Sequence, residues 1–200
     1  MELTTINSET LHTLLKGGMV ASGKDKYLPV LNSVRVEVRE PLVRVVSTDR
    51  YRLLIGDVDM PEGTAMEIGN FLITVDQAKD LVKVLPVKKD SGNVVIELSD
   101  DEKYVSFTYD GAGGKWNREY RTLDGEFPRY ESLIPTVFEG TDEVRFNPVF
   151  MADIAKLPVK DKNTHVHMRL QNASKPMLAE IDGANGVAWT YMLMPIRIPG

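Results

Sequence analysis

The chain has 200 residues, 42% hydrophobic and 26% charged, the balance of a folded globular protein rather than a disordered one. Lysine and arginine number 24 against 29 aspartates and glutamates, and the resulting charge of −5 argues against holding nucleic acid by bulk electrostatics. Cysteine is absent, which excludes disulfide scaffolds, thiolate zinc sites, iron–sulfur clusters and cysteine nucleophiles.

In chain order, Leu3-Thr4-Thr5-Ile6 reads as a strand, with Asn7 or Ser8 capping a helix whose Leu11, Leu14 and Leu15 face inward, together with Met19 and Val20. Val34 to Val38 alternates apolar and polar, and Leu42 to Ser47 and Arg52 to Val58 complete three more strands. Phe71 to Val75 leads to Asp76 as N-cap of a helix with Ala78, Leu81, Val82 and Leu85 on one face, stopped by Pro86. Strands follow at Val94 to Leu98, Tyr104 to Tyr109 and Trp116 to Thr122, with a glycine turn at 111–114. Val144-Arg145-Phe146 reads as a short strand before Asn147 as cap and Pro148 at the first helical position. That helix carries Val149, Phe150, Ile154 and Leu157, and Pro158 stops it. Strands at Val166 to Leu170, Pro176 to Ile181 and Trp189 to Ile198 close the chain.

The last two helices end alike, in Leu85-Pro86-Val87-Lys88-Lys89 and Leu157-Pro158-Val159-Lys160-Asp161-Lys162. With the N-terminal third included, the chain is three β-α-β-β-β units at 1–62, 69–135 and 142–200. The seams are Pro61-Glu62-Gly63 and Glu139-Gly140-Thr141. Short amphipathic helices on antiparallel strands predict an α+β fold.

Searches for catalytic chemistry find no constellation. His12 sits on a helix, and His165 and His167 lie two apart on a strand with no third ligand near in sequence; a plain solvent-facing strand is the favoured reading. Asp100-Asp101-Glu102 lacks calcium-loop spacing and reads as a hairpin turn. Gly111-Ala112-Gly113-Gly114 lies between strands and lacks the Lys-Ser/Thr of a phosphate loop. No Gly-x-Ser-x-Gly elbow is present. The expectation is a protein with no catalysis, no cofactor and no metal. No apolar run reaches the ~20 residues of a membrane helix, and the N-terminus lacks a signal-peptide pattern, so a soluble cytoplasmic chain is expected.

Four segments in order carry a specific resemblance: Tyr27-Leu28-Pro29-Val30-Leu31-Asn32-Ser33-Val34, Ser47-Thr48-Asp49-Arg50-Tyr51-Arg52-Leu53, Leu123-Asp124-Gly125-Glu126-Phe127-Pro128-Arg129-Tyr130 and Leu193-Met194-Pro195-Ile196-Arg197. Together they resemble the bacterial-type DNA sliding clamp, the beta subunit of the replicative polymerase. The first three are similar to its middle domain and the last to the close of its third. A clamp chain has three domains, or six units, and this one has three. The resemblance therefore implies a complete clamp-like domain at 1–135 and a half domain at 142–200.

It further implies sheets outside, helices lining a hole around duplex DNA, and a groove for polymerase or clamp-loader peptides. The groove would use Leu31, Thr48, Arg50, Tyr51, Arg52, Leu53, Pro128, Leu133, Met192, Met194, Pro195, Ile196 and Arg197. Methionines suit such a site because they adapt to varied apolar partners. Arg50-Tyr51 stands where the family often has Gly-His, and bulk there narrows the pocket or changes the preferred peptide. The implied DNA-facing residues are Lys16, Lys24, Lys26, Lys79, Lys83, Lys88, Lys89, Lys156, Lys160 and Lys162. The segments 8–26, 76–90 and 148–162 each carry +1, leaving −8 on the rest of the chain. Complementing helix dipoles explains Lys83 and Lys156 but explains the loop lysines less well. Family rings are similar to twelve units, so four chains would close one, a homotetramer. The competing reading is a clamp-derived decoy that occupies clamp-binding peptides or caps a full-length clamp without surrounding DNA.

Overall fold

The computed structural model describes residues 1–25, 27–61, 69–88, 92–137 and 144–196. Its strands are β1 (Glu2–Asn7), β2 (Ser33–Arg39), β3 (Leu42–Thr48), β4 (Arg52–Asp59), β5 (Gly69–Thr74), β6 (Asn93–Leu98), β7 (Tyr104–Gly111), β8 (Gly114–Arg121), β9 (Val166–Leu170), β10 (Met177–Asp182) and β11 (Ala188–Leu193). The helices are α1 (Ser8–Gly18), α2 (Val75–Val84) and α3 (Pro148–Asp153), the last running into a 3-10 turn at Ile154–Lys156. The fold is α+β, with purely antiparallel sheets.

Asn7 caps α1, its side chain accepting the backbone N–H of Glu9 at 3.0 Å and of Thr10 at 3.4 Å. The cap of α2 is Thr74 rather than Asp76: Thr74 Oγ1 accepts from Gln77 N, and Gln77 Oε1 accepts from Thr74 N. A Thr-x-x-Gln capping box binds two otherwise orphaned N–H groups, more than one carboxylate farther along can do. Asn147 caps α3, with Pro148 in its first turn.

The first two units exchange their opening strands. β1 crosses to pair with β6 in a four-stranded sheet ordered β1-β6-β7-β8, and β5 crosses back to pair with β2. The third unit adds β11 to β4, giving a seven-stranded sheet ordered β5-β2-β3-β4-β11-β10-β9. Period-two alternation sorts that sheet into two cores. Val43, Val45, Leu54, Ile73, Ala179, Trp189 and Tyr191 face the helices in the main core, which also takes Val94, Ile96, Phe107 and Tyr109 from the other sheet. Val46, Leu53, Ile55, Leu72, Leu178 and Met192 face the opposite way, where Phe127 and Tyr130 cover them.

Two sequence expectations fail for physical reasons. Val144 to Phe146 forms no strand, because no second strand lies beside it among the described residues. The last strand stops at Leu193, where its ladder with β4 runs out at the pair Leu193 and Arg52, and 194–196 add no strand; the end of the expected run, at 197 and 198, lies outside the described residues. Met19 and Val20 lie just past the end of α1 and are only partly buried. The expected seams at 61–63 and 139–141 lie largely outside the described residues.

Candidate peptide groove and lysine face

The turn between β3 and β4 is built by its own side chains. Thr48 Oγ1 accepts from Arg50 N at 3.1 Å and donates to the Arg52 carbonyl at 2.7 Å. Asp49 Oδ1 accepts the N–H groups of Tyr51 and Arg52, both at 3.0 Å. The turn forces Arg50 to a φ of 77°, a left-handed conformation that costs a side-chain-bearing residue and suits glycine. With its backbone held, the turn projects Tyr51 outward, where its ring stacks on Phe150 at 6.4 Å.

Across the seam, β11 ends opposite the start of β4, with Met192 facing Leu53. The chain then turns so that Met194 N donates to the Tyr51 carbonyl at 3.0 Å. Between the turn, this chain end and the 128–133 segment lies a groove of about 220 Å³. Thr48, Arg50, Tyr51, Arg52, Leu53, Pro128, Leu133, Pro176, Met192 and Met194 line it. The structure thus gathers nine of the thirteen residues expected here. Leu31 is buried and does not reach the groove; Pro195 and Ile196 lie beyond its wall, since the chain turns away toward Arg145, whose carbonyl accepts Ile196 N at 2.7 Å. Arg197 lies outside the described residues. Pro176 was missed because it precedes β10, far along the chain from the other wall residues; its position beside Met177 was the available signal.

The groove is largely apolar, and its one buried cation is already committed. Arg52 Nε meets Asp49 Oδ2 at 3.0 Å, its guanidinium is ion-paired with Asp153, and it stacks over Phe150 at 4.7 Å. Asp153 in turn pairs with Lys156. Arg52 therefore ties the first unit to α3 of the third and frames the groove more than it presents charge to a ligand. Beneath it, Tyr191 donates to the Phe150 carbonyl at 2.9 Å, and burial pushes its phenol up to about 12, so it stays a neutral donor at physiological pH.

The outer wall is pinned by a polar network. Tyr130 O–H lies 3.1 Å from the carboxylate of the fully buried Glu37, which also holds Arg35 at 2.7 Å and Arg39 at 2.5 Å. Arg44 pairs with both oxygens of Asp57 at 2.7 and 2.8 Å, and its guanidinium reaches Tyr130 at 3.3 Å.

On the opposite, helix-bearing side, α1 packs beside α2, and Asn185 of the third unit donates to Thr13 on α1 at 2.9 Å. Lys16 on α1, Lys79 and Lys83 on α2, and Lys24, Lys88, Lys156, Lys160 and Lys162 in or just beyond the helices are all exposed. Lys79 pairs with Asp76 at 3.1 Å. Lys26 and Lys89 lie outside the described residues. His165 and His167 are exposed, and His167 meets Glu180 at 3.4 Å. Among the described residues no group of three or more His, Cys, Asp or Glu could hold a metal ion, and no helix is long and apolar enough to cross a membrane.

The comparisons agree with this architecture. Residues 5–129 match the family model for the DNA polymerase III beta subunit, central domain. The beta sliding clamp of Streptomyces coelicolor is 29% identical over 175 residues, covering 84% of this chain and 43% of that protein. A beta sliding clamp homolog, GriR of Streptomyces muensis, is 31% identical over 149 residues, 74% of this chain and 38% of that one. The DNA polymerase III beta subunit of Thermotoga maritima superposes with a TM-score of 0.81 at 19% identity, covering all of this chain and 66% of its own. The chain spans less than half the length of the curated relatives it matches. With the central-domain match covering more than half of its residues, the chain belongs to the DNA polymerase III beta subunit family of sliding clamps.

Proposed function

We propose that the chain is a DNA sliding clamp, a processivity factor without catalysis of its own, that surrounds duplex DNA as a homo-oligomeric ring and docks polymerase or clamp-loader peptides in its groove. The observation that carries this reading is the apolar groove formed by the expected segments, together with exposed lysines at the helices. The groove opens at the β4–β11 seam, and the lysines on and just beyond the three helices are exposed. The residues divide as one full clamp domain, 1–135, and one half domain, 142–200. Twelve such units to a ring would call for four chains.

In the hole, lysines would make mobile, sequence-blind phosphate contacts, and closure rather than affinity would retain the protein on DNA. In the groove, a short extended peptide would place apolar side chains between Met192, Met194, Leu133 and Pro128. Fluorescence anisotropy with a labelled clamp-docking peptide from a bacterial replicative polymerase tests this half of the reading. Met194→Ala with Leu133→Ala is expected to weaken binding about tenfold or more. Unchanged affinity, or no binding by the parent chain, would remove the groove assignment.

A second reading has one observation in its favour. The groove is lined by this chain alone, while the resemblance to the clamp leaves one unit without a counterpart between β8 and α3. A decoy that sequesters clamp-binding peptides needs the groove but no ring. It would bind the same peptide and show no topological retention on DNA.

A further inference from the structure

The third unit carries an unfinished seam, and we infer that a second copy of this chain completes it by reciprocal strand exchange around a two-fold axis. The inference goes beyond the clamp reading and stands on internal repetition.

The ladder of the third unit repeats that of the second. In β6 and β7, Leu98, Ile96 and Val94 pair with Val105, Phe107 and Tyr109. In β9 and β10, Leu170, Met168 and Val166 pair with Met177, Ala179 and Ile181, each 72 residues later. The sequels match too. Leu123 N donates to the Leu72 carbonyl on β5 at 3.0 Å, and 73 residues later Ile196 N donates to the Arg145 carbonyl at 2.7 Å. Val144 to Phe146 is therefore held as β5 is held, along the same edge, and differs in that no strand lies along the other among the described residues.

Burial marks what is missing. Val94 and Ile96 are 0% exposed because β1 covers their edge, with Ile6 opposite Val94 and Thr4 opposite Ile96. Their counterparts Val166 and Met168 face the same core side yet are 37% and 46% exposed, and Val149 on α3 is 64% exposed. Apolar residues on an open edge strand invite pairing.

The occupant follows from what this unit itself offers. The first two units each give an opening strand and receive one on the second strand of the other: β1 goes to β6 and β5 to β2. The third unit holds both halves of that exchange, a donor in Val144–Phe146 and an acceptor in β9. Two copies therefore satisfy each other reciprocally, as an isologous contact requires. In the seam of the second unit the helix cap Asn7 faces Asn93, Ile6 faces Val94 and Thr4 faces Ile96, and 72 residues on from Asn93, Val94 and Ile96 stand His165, Val166 and Met168, so the cap Asn147 falls opposite His165. The same register sets Phe146 of one copy opposite Val166 of the other, and Val144 opposite Met168. Arg145 would then stand on the outer side beside His167 and its partner Glu180.

The test uses the full chain and needs neither DNA nor peptide, and it separates this seam from the ring as such: an assembly that survives loss of the seam overturns the inference alone, whereas a monomer overturns both. Because cysteine is absent, Val144→Cys with Met168→Cys supplies the only thiols. A short bis-maleimide is expected to give a covalent dimer on a denaturing gel, whereas Lys115→Cys with Met168→Cys is expected to give none. Met168→Asp, at an exposed position, is expected to keep the far-ultraviolet circular dichroism of the parent and weaken self-association at least about tenfold by sedimentation. A parent chain that stays monomeric, or an assembly that Met168→Asp leaves intact and the cysteine pair does not link, would overturn the inference.

Discussion

Trp189 of β11 lies directly across the ladder from Gly56 of β4, and its ring occupies the space where a side chain at that glycine would stand. A Cβ at Gly56 would come within 2.2 Å of the indole, and one at Gly17 on α1 equally close. Trp189 is 1% exposed and donates to the Pro158 carbonyl at 3.0 Å. One tryptophan from the third unit thus locks into a slot made by two glycines of the first. That lock, with the Arg52–Asp153 pair, makes the three units one body and gives the groove a fixed floor.

Gly56→Ala is therefore expected to destabilise the fold by about 1–3 kcal/mol, since neither the indole nor the β4 backbone can retreat. Urea unfolding checks this. Because the overlap is with Trp189, its fluorescence should shift in the folded state as well.

Tyr130 is the keystone of the outer wall. Tyr130→Phe keeps the ring but leaves the buried Glu37 carboxylate one hydrogen bond short, at a cost of about 1–3 kcal/mol by denaturant titration. Burial raises the phenol above its ordinary value, so the parent's hydrogen bond persists through physiological pH. The segment carrying Pro128 and Leu133 should loosen with it, weakening peptide capture.

Arg50 holds a conformation that glycine would adopt without strain. Relief of about 1–2 kcal/mol in the turn outweighs the ~0.4–1 kcal/mol of unfolded-chain entropy that glycine adds. Arg50→Gly is expected to raise the thermal midpoint slightly while removing a wall side chain, so peptide affinity should change without loss of folding. Calorimetry and anisotropy on the same sample read both effects.

His12 on α1 is pushed below its ordinary value of 6.5 by burial and then by Lys16, with Glu9 opposing weakly. The unfolded chain therefore takes up this proton at a higher pH than the folded one. Stability from this residue is complete above about pH 7 and declines as pH falls through 6.5 toward the depressed folded value. His12→Gln should flatten that part of a stability curve measured between pH 7.5 and 5.5.

Much of this fold was legible because its strands alternate cleanly. Val34, Val36 and Val38 face one core, and the helices carry apolar residues three and four apart. What alternation cannot report is whether a strand finds a neighbour. Val144 to Phe146 has the pattern of β5 and no ladder, because pairing depends on a strand elsewhere. Nor could it tell that Glu37, at a polar position of β2, is buried, since only the later segment 123–134 covers it. The groove was largely readable from the four ordered segments. Its boundaries were not: Leu31 turns inward, Ile196 turns toward Arg145, and Pro176 arrives from a turn with no motif of its own.

The central claim is topological, so the decisive measurement compares closed and open DNA. The chain, allowed to assemble in the presence of a nicked circular duplex, is passed over a sizing column in salt high enough to break simple phosphate contacts, before and after one restriction cut. The account predicts protein eluting with the circle and lost once the circle is linearised. Equal retention on both forms, or none on the circle, would contradict it.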